Sequence, residues 1–220
     1  MLRLDNMQLN QLKKDIDNLQ LLFGDKNLRS IYGAGCIKNP KAMFIFMNPT
    51  AKNVSAFDDW KGLRAPWLGT KNVWQIFYAL DIVSFDYFQK IQEMKIGDWN
   101  VDFAQDVYRE VVEKKVYITN LAKCTQVDAR PLKNDVFKNY LKIMEEEVMA
   151  INPKNIITFG NQVSSIILRK PVSVGDYKKD EKEVLKISGQ SFDVYPTHYP
   201  VGQGRRNMPM AIKRIKAILS

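Results

Sequence analysis

Histidine occurs once and cysteine twice in 220 residues. Two thiols, Cys36 and Cys124, are too few to staple a chain of this size or to make a four-thiolate metal site. They are expected as reduced thiols of a cytoplasmic protein, with no metal and no cofactor. No apolar run approaches the roughly 20 residues of a membrane span, so no membrane partner is expected. The first residues lack the charged, apolar, small-residue order of a signal peptide. There is no internal repeat and no low-complexity linker. Gly33 and Gly35 are followed by neither a Lys-Ser nor a Lys-Thr pair and by no helical pattern, which excludes a phosphate loop and disfavours an ordinary nucleotide-binding enzyme.

What is present is an apolar content of 45%, enough for one well-buried domain over residues 1–220 and too short a chain for two. Basic residues number 33 against 24 acidic, a net charge of +9. An excess of that sign favours a polyanionic partner, nucleic acid first, although a soluble enzyme that happens to be basic would look the same. The chain is read as a monomer.

The stretch Ala42 to Phe46 is apolar throughout and runs into Met47-Asn48-Pro49, which reads as a strand buried on both faces and ended by proline. Val116 to Ala122 is a second such strand, again running into an asparagine, Asn120. Ile156 to Phe159 is a third, and Val184–Ile187 and Phe192–Tyr195 are the last strand candidates. Helical spacing of apolar residues marks Leu9 to Phe23, Val73 to Leu80, Phe103 to Val111, one long helix from Phe137 to Val148, Gly160 to Leu168, and Ile212 to Leu219. The last is expected to show Lys213, Arg214 and Lys216 on its wet face. Residues 81–100 read as loop and broken helix, and 170–183 as a charged surface excursion. Strands alternating with helices predict a three-layer α/β/α domain around a central, mostly parallel four-stranded sheet.

In such a sheet ligands sit beyond the carboxyl ends of the strands, which brings Asn48, Asn120 and His198-Tyr199 toward one edge. An asparagine amide offers one acceptor and one donor group, a match for the edge of a nucleobase. Trp67, after Ala65-Pro66, offers a face for a flat ring, and stacking of that kind contributes about 1–3 kcal/mol per base. His198 precedes a loop with two glycines and two arginines, Gly202 to Arg206. Asp58 and Asp59 lie downstream of the first loop, where acidic residues are usually just solvated.

The order and spacing of these segments resemble the uracil-DNA glycosylase superfamily, and most of all its bacterial and archaeal branch that carries an iron–sulfur cluster. The resemblance rests on Tyr32-Gly-Ala-Gly35, on Met43 to Thr50 with its Met-Asn-Pro, on Pro66-Trp67-Leu68-Gly69, and on Thr119-Asn120-Leu-Ala-Lys123-Cys124. It implies hydrolysis of the N-glycosidic bond of a flipped-out uracil, or a related deaminated base, in single- or double-stranded DNA. It also implies roles: Asn48 holds the attacking water, Trp67 stacks on the base, Asn120 reads it with Met47 and Tyr199 alongside, and His198 donates to the departing base. Arg205, Arg206 and Lys213 would grip phosphates.

Two departures stand out. The branch needs four cluster cysteines, and only Cys124 stands at a matching place; about sixteen residues beyond it the chain has Asn139 and Tyr140, so no cluster is expected. Where the family has histidine directly before proline, this chain reads Thr197-His198-Tyr199-Pro200. Either His198 reaches the site by a kink, or Tyr199 takes its place, or the site is impaired. The last possibility is a nucleic-acid-binding relative without the chemistry.

Overall fold

The computed structural model describes the backbone of residues 2–220 and the side chains of residues 9–202 and 204–220. The central strand, β2 (Ala42–Phe46), is buried at every position. Its side chains alternate between two separate cores, as strand geometry requires. Ala42, Phe44 and Phe46 enter one core, Met43 and Ile45 the other. Two apolar layers on one strand mean helices on both sides, and that is the arrangement found.

On the Phe44 side lie α2 (Trp74–Ala79), α4 (Val101–Glu113) and α8 (Met208–Leu219), with α3 (Phe85–Glu93) at their edge. On the Met43 side lie α1 (Leu2–Phe23), α5 (Asn134–Asn139), α6 (Leu141–Ile151) and α7 (Asn161–Leu168). α4 starts where Asn100 caps it, its side chain accepting from Phe103 N–H. α6 stops at Asn152, which takes a left-handed φ of 50° just ahead of Pro153.

The expected four-stranded sheet is corrected: there are six strands in a mixed sheet, in the order β1-β3-β2-β4-β6-β5. β3 (Val116–Asn120), β2, β4 (Ile156–Phe159) and β6 (Gln190–Thr197) are mutually parallel. Two antiparallel edges complete the sheet. β1 (Ala34–Gly35) pairs with β3 but is two residues long, too short to show any periodicity. β5 (Glu183–Ile187) pairs with β6 through a two-residue turn in which Ser188 and Gly189 both have positive φ, the geometry of a tight hairpin. Leu185 and Ile187 face in while Val184 and Lys186 face out, the alternation of a half-solvated edge strand.

Two other expectations change. The single helix expected from Phe137 to Val148 is broken at Tyr140, whose N–H closes on Phe137 O in a tighter turn and whose ring is fully buried. Arg214, expected on the wet face of the last helix, is 6% exposed. Its guanidinium donates to the carbonyls of Pro196, Lys179 and Glu181. Periodicity could not separate it from its neighbours Lys213 and Lys216, because its long stem lies along apolar surface while its head finds backbone carbonyls.

Candidate active site

The chain leaves β2 toward the Phe44 layer and leaves β3 and β4 toward the Met43 layer. Loops that diverge in this way open a crevice at the carboxyl ends of the strands. Phe46, the last residue of β2, is fully buried at that end of the sheet and is the centre of a group of aromatic rings. Its ring stacks on Phe159 of β4 at 4.2 Å and meets Trp67 edge-on at 4.9 Å. Tyr199 approaches it edge-on at 6.4 Å. In the parallel register Phe46 stands opposite Asn120. Phe44 and Ile118, one pair earlier on the same face, share the same core, so Asn120 projects to the side of Phe46, Trp67 and Tyr199.

Asn120 is 3% exposed. Its backbone carbonyl accepts from Lys123 Nζ at 2.8 Å, yet its side-chain amide has no hydrogen-bond partner among the described residues. Buried amides normally find partners. An unpartnered one at a strand end is a position open to a ligand.

The loops after β2 and β3 are stitched together. Leu121 N–H donates to Phe46 O, Ala122 N–H to Met47 O, and Gln126 N–H to Pro49 O. Asn48 follows directly, half-buried, its Nδ2 donating to Pro49 O at 3.1 Å. Its side-chain carbonyl is left without a partner among the described residues. Met47 packs its side chain into the Met43 layer, away from the aromatic group around Phe46; what it gives to this edge is the carbonyl that Ala122 uses.

Trp67 sits in a turn at φ 69°, a conformation that costs a residue with a Cβ about 1–2 kcal/mol. The turn is held from several sides. Asn53 Nδ2 donates to Ala65 O, Tyr108 OH to Pro66 O, and Trp74 Nε1 to Trp67 O. Val54 N–H donates to Leu68 O. The indole Nε1 of Trp67 is buried without a partner.

β6 ends at buried Thr197, whose carbonyl accepts from Gly160 N–H. His198 is half-buried and makes no hydrogen bond among the described residues. Tyr199 is the residue turned toward Phe46, and burial pushes its hydroxyl up to about 12. A Cβ at Gly204 would stand 2.2 Å from Tyr199 O, so only glycine lets the basic loop close on this segment. Arg205, Arg206 and Lys213 are exposed, and none of them belongs to an ion pair among the described residues. Asp58 is exposed and pairs with Arg29 at 3.8 Å.

The residues beside Cys124 do not fit an iron–sulfur cluster, which thiolates must hold. Cys36 bonds through its N–H to Val116 O at the entrance of β3, whereas Cys124 lies beyond the exit, so the two thiols flank opposite ends of one strand. Around Cys124 stand Tyr140, Gln126 and Gln20 in place of further thiols, and Gln20 is committed to the backbone of Asp25, Leu28 and Thr125. Among the described residues no three His, Cys, Asp or Glu side chains are placed to share a metal ion.

At the strand ends of this α/β/α protein a group of aromatic rings stands beside an unpartnered asparagine amide, and exposed cations follow on the next loop and helix. The family is definite: the chain belongs to the uracil DNA glycosylase superfamily, whose family model matches residues 32–219. At the level of the family that makes it a glycosylase-like hydrolase acting on DNA. No curated protein matches the chain. None of its described helices is long and apolar enough to cross a membrane.

Of the residues the sequence singles out, Trp67, Asn120 and Tyr199 group at Phe46, Asn48 lies two residues beyond it on the loop after β2, and His198 stands one residue aside from Tyr199. Phe46 and Phe159 present in the sequence only as core, and Arg214 only as a wet-face cation, whereas it is buried. Nothing local singles out Glu147, which pairs with Lys123 from a helix remote in sequence. A lysine just beyond β3 in an otherwise apolar stretch, Leu121-Ala122-Lys123-Cys124, was the one signal available for that pair.

Proposed function

We propose that the chain hydrolyses the N-glycosidic bond of uracil, or a related deaminated base, in DNA. The observation that carries this reading is the unpartnered amide of buried Asn120 facing the ring cluster of Phe46, Trp67 and Tyr199. A base stacked inside a duplex is out of reach, so it is extruded into the crevice at a cost of a few kcal/mol. Trp67 stacks on the extruded ring. Asn120 reads the edge bearing O4 and N3–H, donating to the first and accepting from the second.

As the bond breaks, the base departs as an anion and the sugar carries positive charge. A donor at O2 stabilises the developing charge more in a water-poor site than it would in bulk water. Two groups compete for that role. Tyr199 is favoured by its inward packing and by a hydroxyl that keeps its proton to about 12; His198 is the group that the family pattern suggests. Asn48, with its free side-chain carbonyl, orients the attacking water. An amide is no strong base, but water adding to an oxocarbenium ion needs little basic help. Arg205, Arg206 and Lys213 hold phosphates and contribute no base recognition.

The displaced histidine supports a second reading, a relative that binds DNA without base release. An excision assay on uracil-containing single strands and duplexes separates the two. Release of free uracil that falls about 10²- to 10³-fold in Asn120→Ala, the scale for loss of a transition-state hydrogen bond, supports the enzyme. Salt-dependent binding with no uracil released supports the binder. Comparing His198→Ala with Tyr199→Phe then assigns the donor, since only loss of the true donor slows release strongly.

A further inference from the structure

A lysine with no exposed surface lies directly behind Asn120. Lys123 is 0% exposed and its partner Glu147 3%. The ammonium has three donor directions, and its three partners are Thr119 Oγ1 at 2.6 Å, Asn120 O at 2.8 Å and Glu147 Oε2 at 2.7 Å. Glu147 in turn accepts from Tyr117 OH at 2.8 Å and from Thr119 Oγ1 at 3.2 Å. Burial pulls the Lys123 ammonium down in pKa, and the neighbouring carboxylate opposes that pull. The lead-in segment presses on the same group: a Cβ at Gly33 would lie 2.1 Å from Tyr117 OH and 2.5 Å from Glu147 Oε1.

Such a network is an expensive way to fill space, because apolar side chains of the same volume would hold the layer without desolvating two charges. Its members are not scattered. Tyr117, Thr119, Asn120 and Lys123 are one short stretch, and the network closes on the carbonyl of the residue that projects into the crevice. The peptide that carries this carbonyl is held on its N–H side by Leu121 donating to Phe46 O at 2.8 Å, and Lys123 Nζ holds its C=O side, so the two bonds together fix the plane from which the Asn120 side chain projects.

We infer that Lys123 and Glu147 are positioning residues for base recognition: the buried ion pair clamps the Asn120 carbonyl and thereby aims its side-chain amide at the extruded base. The inference rests on the uracil-excision reading and deepens it.

The test uses the full chain at a temperature well below the melting point of every variant. Lys123→Met and Glu147→Leu each strand a buried charge and lower the melting temperature. The double variant K123M/E147L removes both charges and regains stability, as replaced buried pairs commonly do. In that double variant, uracil release under single-turnover conditions is expected to stay about ten- to a hundredfold below the parent, the scale of loss when a group is misplaced by about an ångström. Inhibition by free uracil weakens in parallel, while binding of abasic-site DNA, which carries no base, stays at the parental level. A double variant that recovers both its melting temperature and its uracil release overturns the inference. Should the double variant not fold, Thr119→Val removes one acceptor of Lys123 without stranding a charge. Slowed release with parental abasic-site binding then supports the clamp, and parental release overturns it. A parent chain that releases no uracil fells the excision reading and this inference together, whereas an active parent with a fully active double variant fells this inference alone.

Discussion

At the scale of single residues, Trp67 separates two effects that usually coincide. Its ring meets Phe46 edge-on and is the face proposed to stack on the base, and its backbone is held at φ 69° by the hydrogen bonds around residues 65–68. Removing the ring forfeits stacking of about 1–3 kcal/mol, so Trp67→Ala lowers uracil release by about ten- to a hundredfold. Glycine visits positive φ freely, so Trp67→Gly is expected to be more stable than Trp67→Ala by about 1 kcal/mol, although it is just as slow. Chemical denaturation of the two variants checks the order; alanine proving the more stable would show that the turn is not strained. Trp67→Phe keeps a stacking face and removes the buried orphan N–H, and release close to the parental rate is expected.

At the scale of elements, the segment from His198 into α8 carries the groups proposed both for the chemistry and for the grip on phosphates. Arg214 ties α8 to the carbonyl of Pro196, two residues before His198, and Gly204 lets the basic loop fold over Tyr199. Arg205 and Arg206 project from that loop into solvent. Exposed arginines on a loop beside a DNA site neutralise phosphates and release counterions. In the double variant R205A/R206A, the plot of log affinity against log salt is therefore expected to flatten by about 0.9 for each duplex phosphate that is no longer neutralised, or about 0.7 on a single strand. Discrimination between uracil and normal bases is expected to stay as it is, because a grip on phosphates carries no sequence information. Fluorescence anisotropy at several salt concentrations measures the slope. An unchanged slope would move the phosphate grip elsewhere, with Lys213 the next residue to test.

The whole molecule shows why some of this was legible in the sequence and some was not. Five consecutive apolar residues running into Met-Asn-Pro announce a doubly buried strand whatever lies around it, so β2 and the place of Asn48 could be read directly. Thr119-Asn120 could be read for the same reason, and both asparagines lie at one sheet edge because parallel strands end together. β1 could not be read, since two residues hold no period and its existence depends on β3 being there to pair with it. The break at Tyr140, the inward turn of Arg214 and the Lys123–Glu147 pair are likewise long-range facts. Each depends on a partner from another element, and no local pattern encodes that.

The same long-range burial sets the response of the whole fold to alkali. Tyr108, Tyr117, Tyr140, Tyr195 and Tyr199 all hold their protons above the ordinary tyrosine range, with desolvation the first cause in each. For Tyr199 the folded value is about 12, against about 10 for an unfolded tyrosine. A raised folded pKa means that the native state binds more protons than the unfolded state above about pH 10, so stability falls as pH rises. Below about pH 10 both states keep the phenol protons, and this contribution is fully present. The melting temperature is therefore expected to be level with respect to these groups up to about pH 10 and to fall steeply above it, more steeply than a single tyrosine would allow, since all of these phenols titrate in the unfolded chain together. Tyr199→Phe removes one of them and makes the fall shallower. If Tyr199 is also the donor to the departing base, the excision rate stays level through neutral and mildly alkaline pH and is lost only as the fold itself gives way. A break in rate near neutrality, with the melting temperature unchanged, would assign the donor to another group and leave Tyr199 as a wall of the crevice.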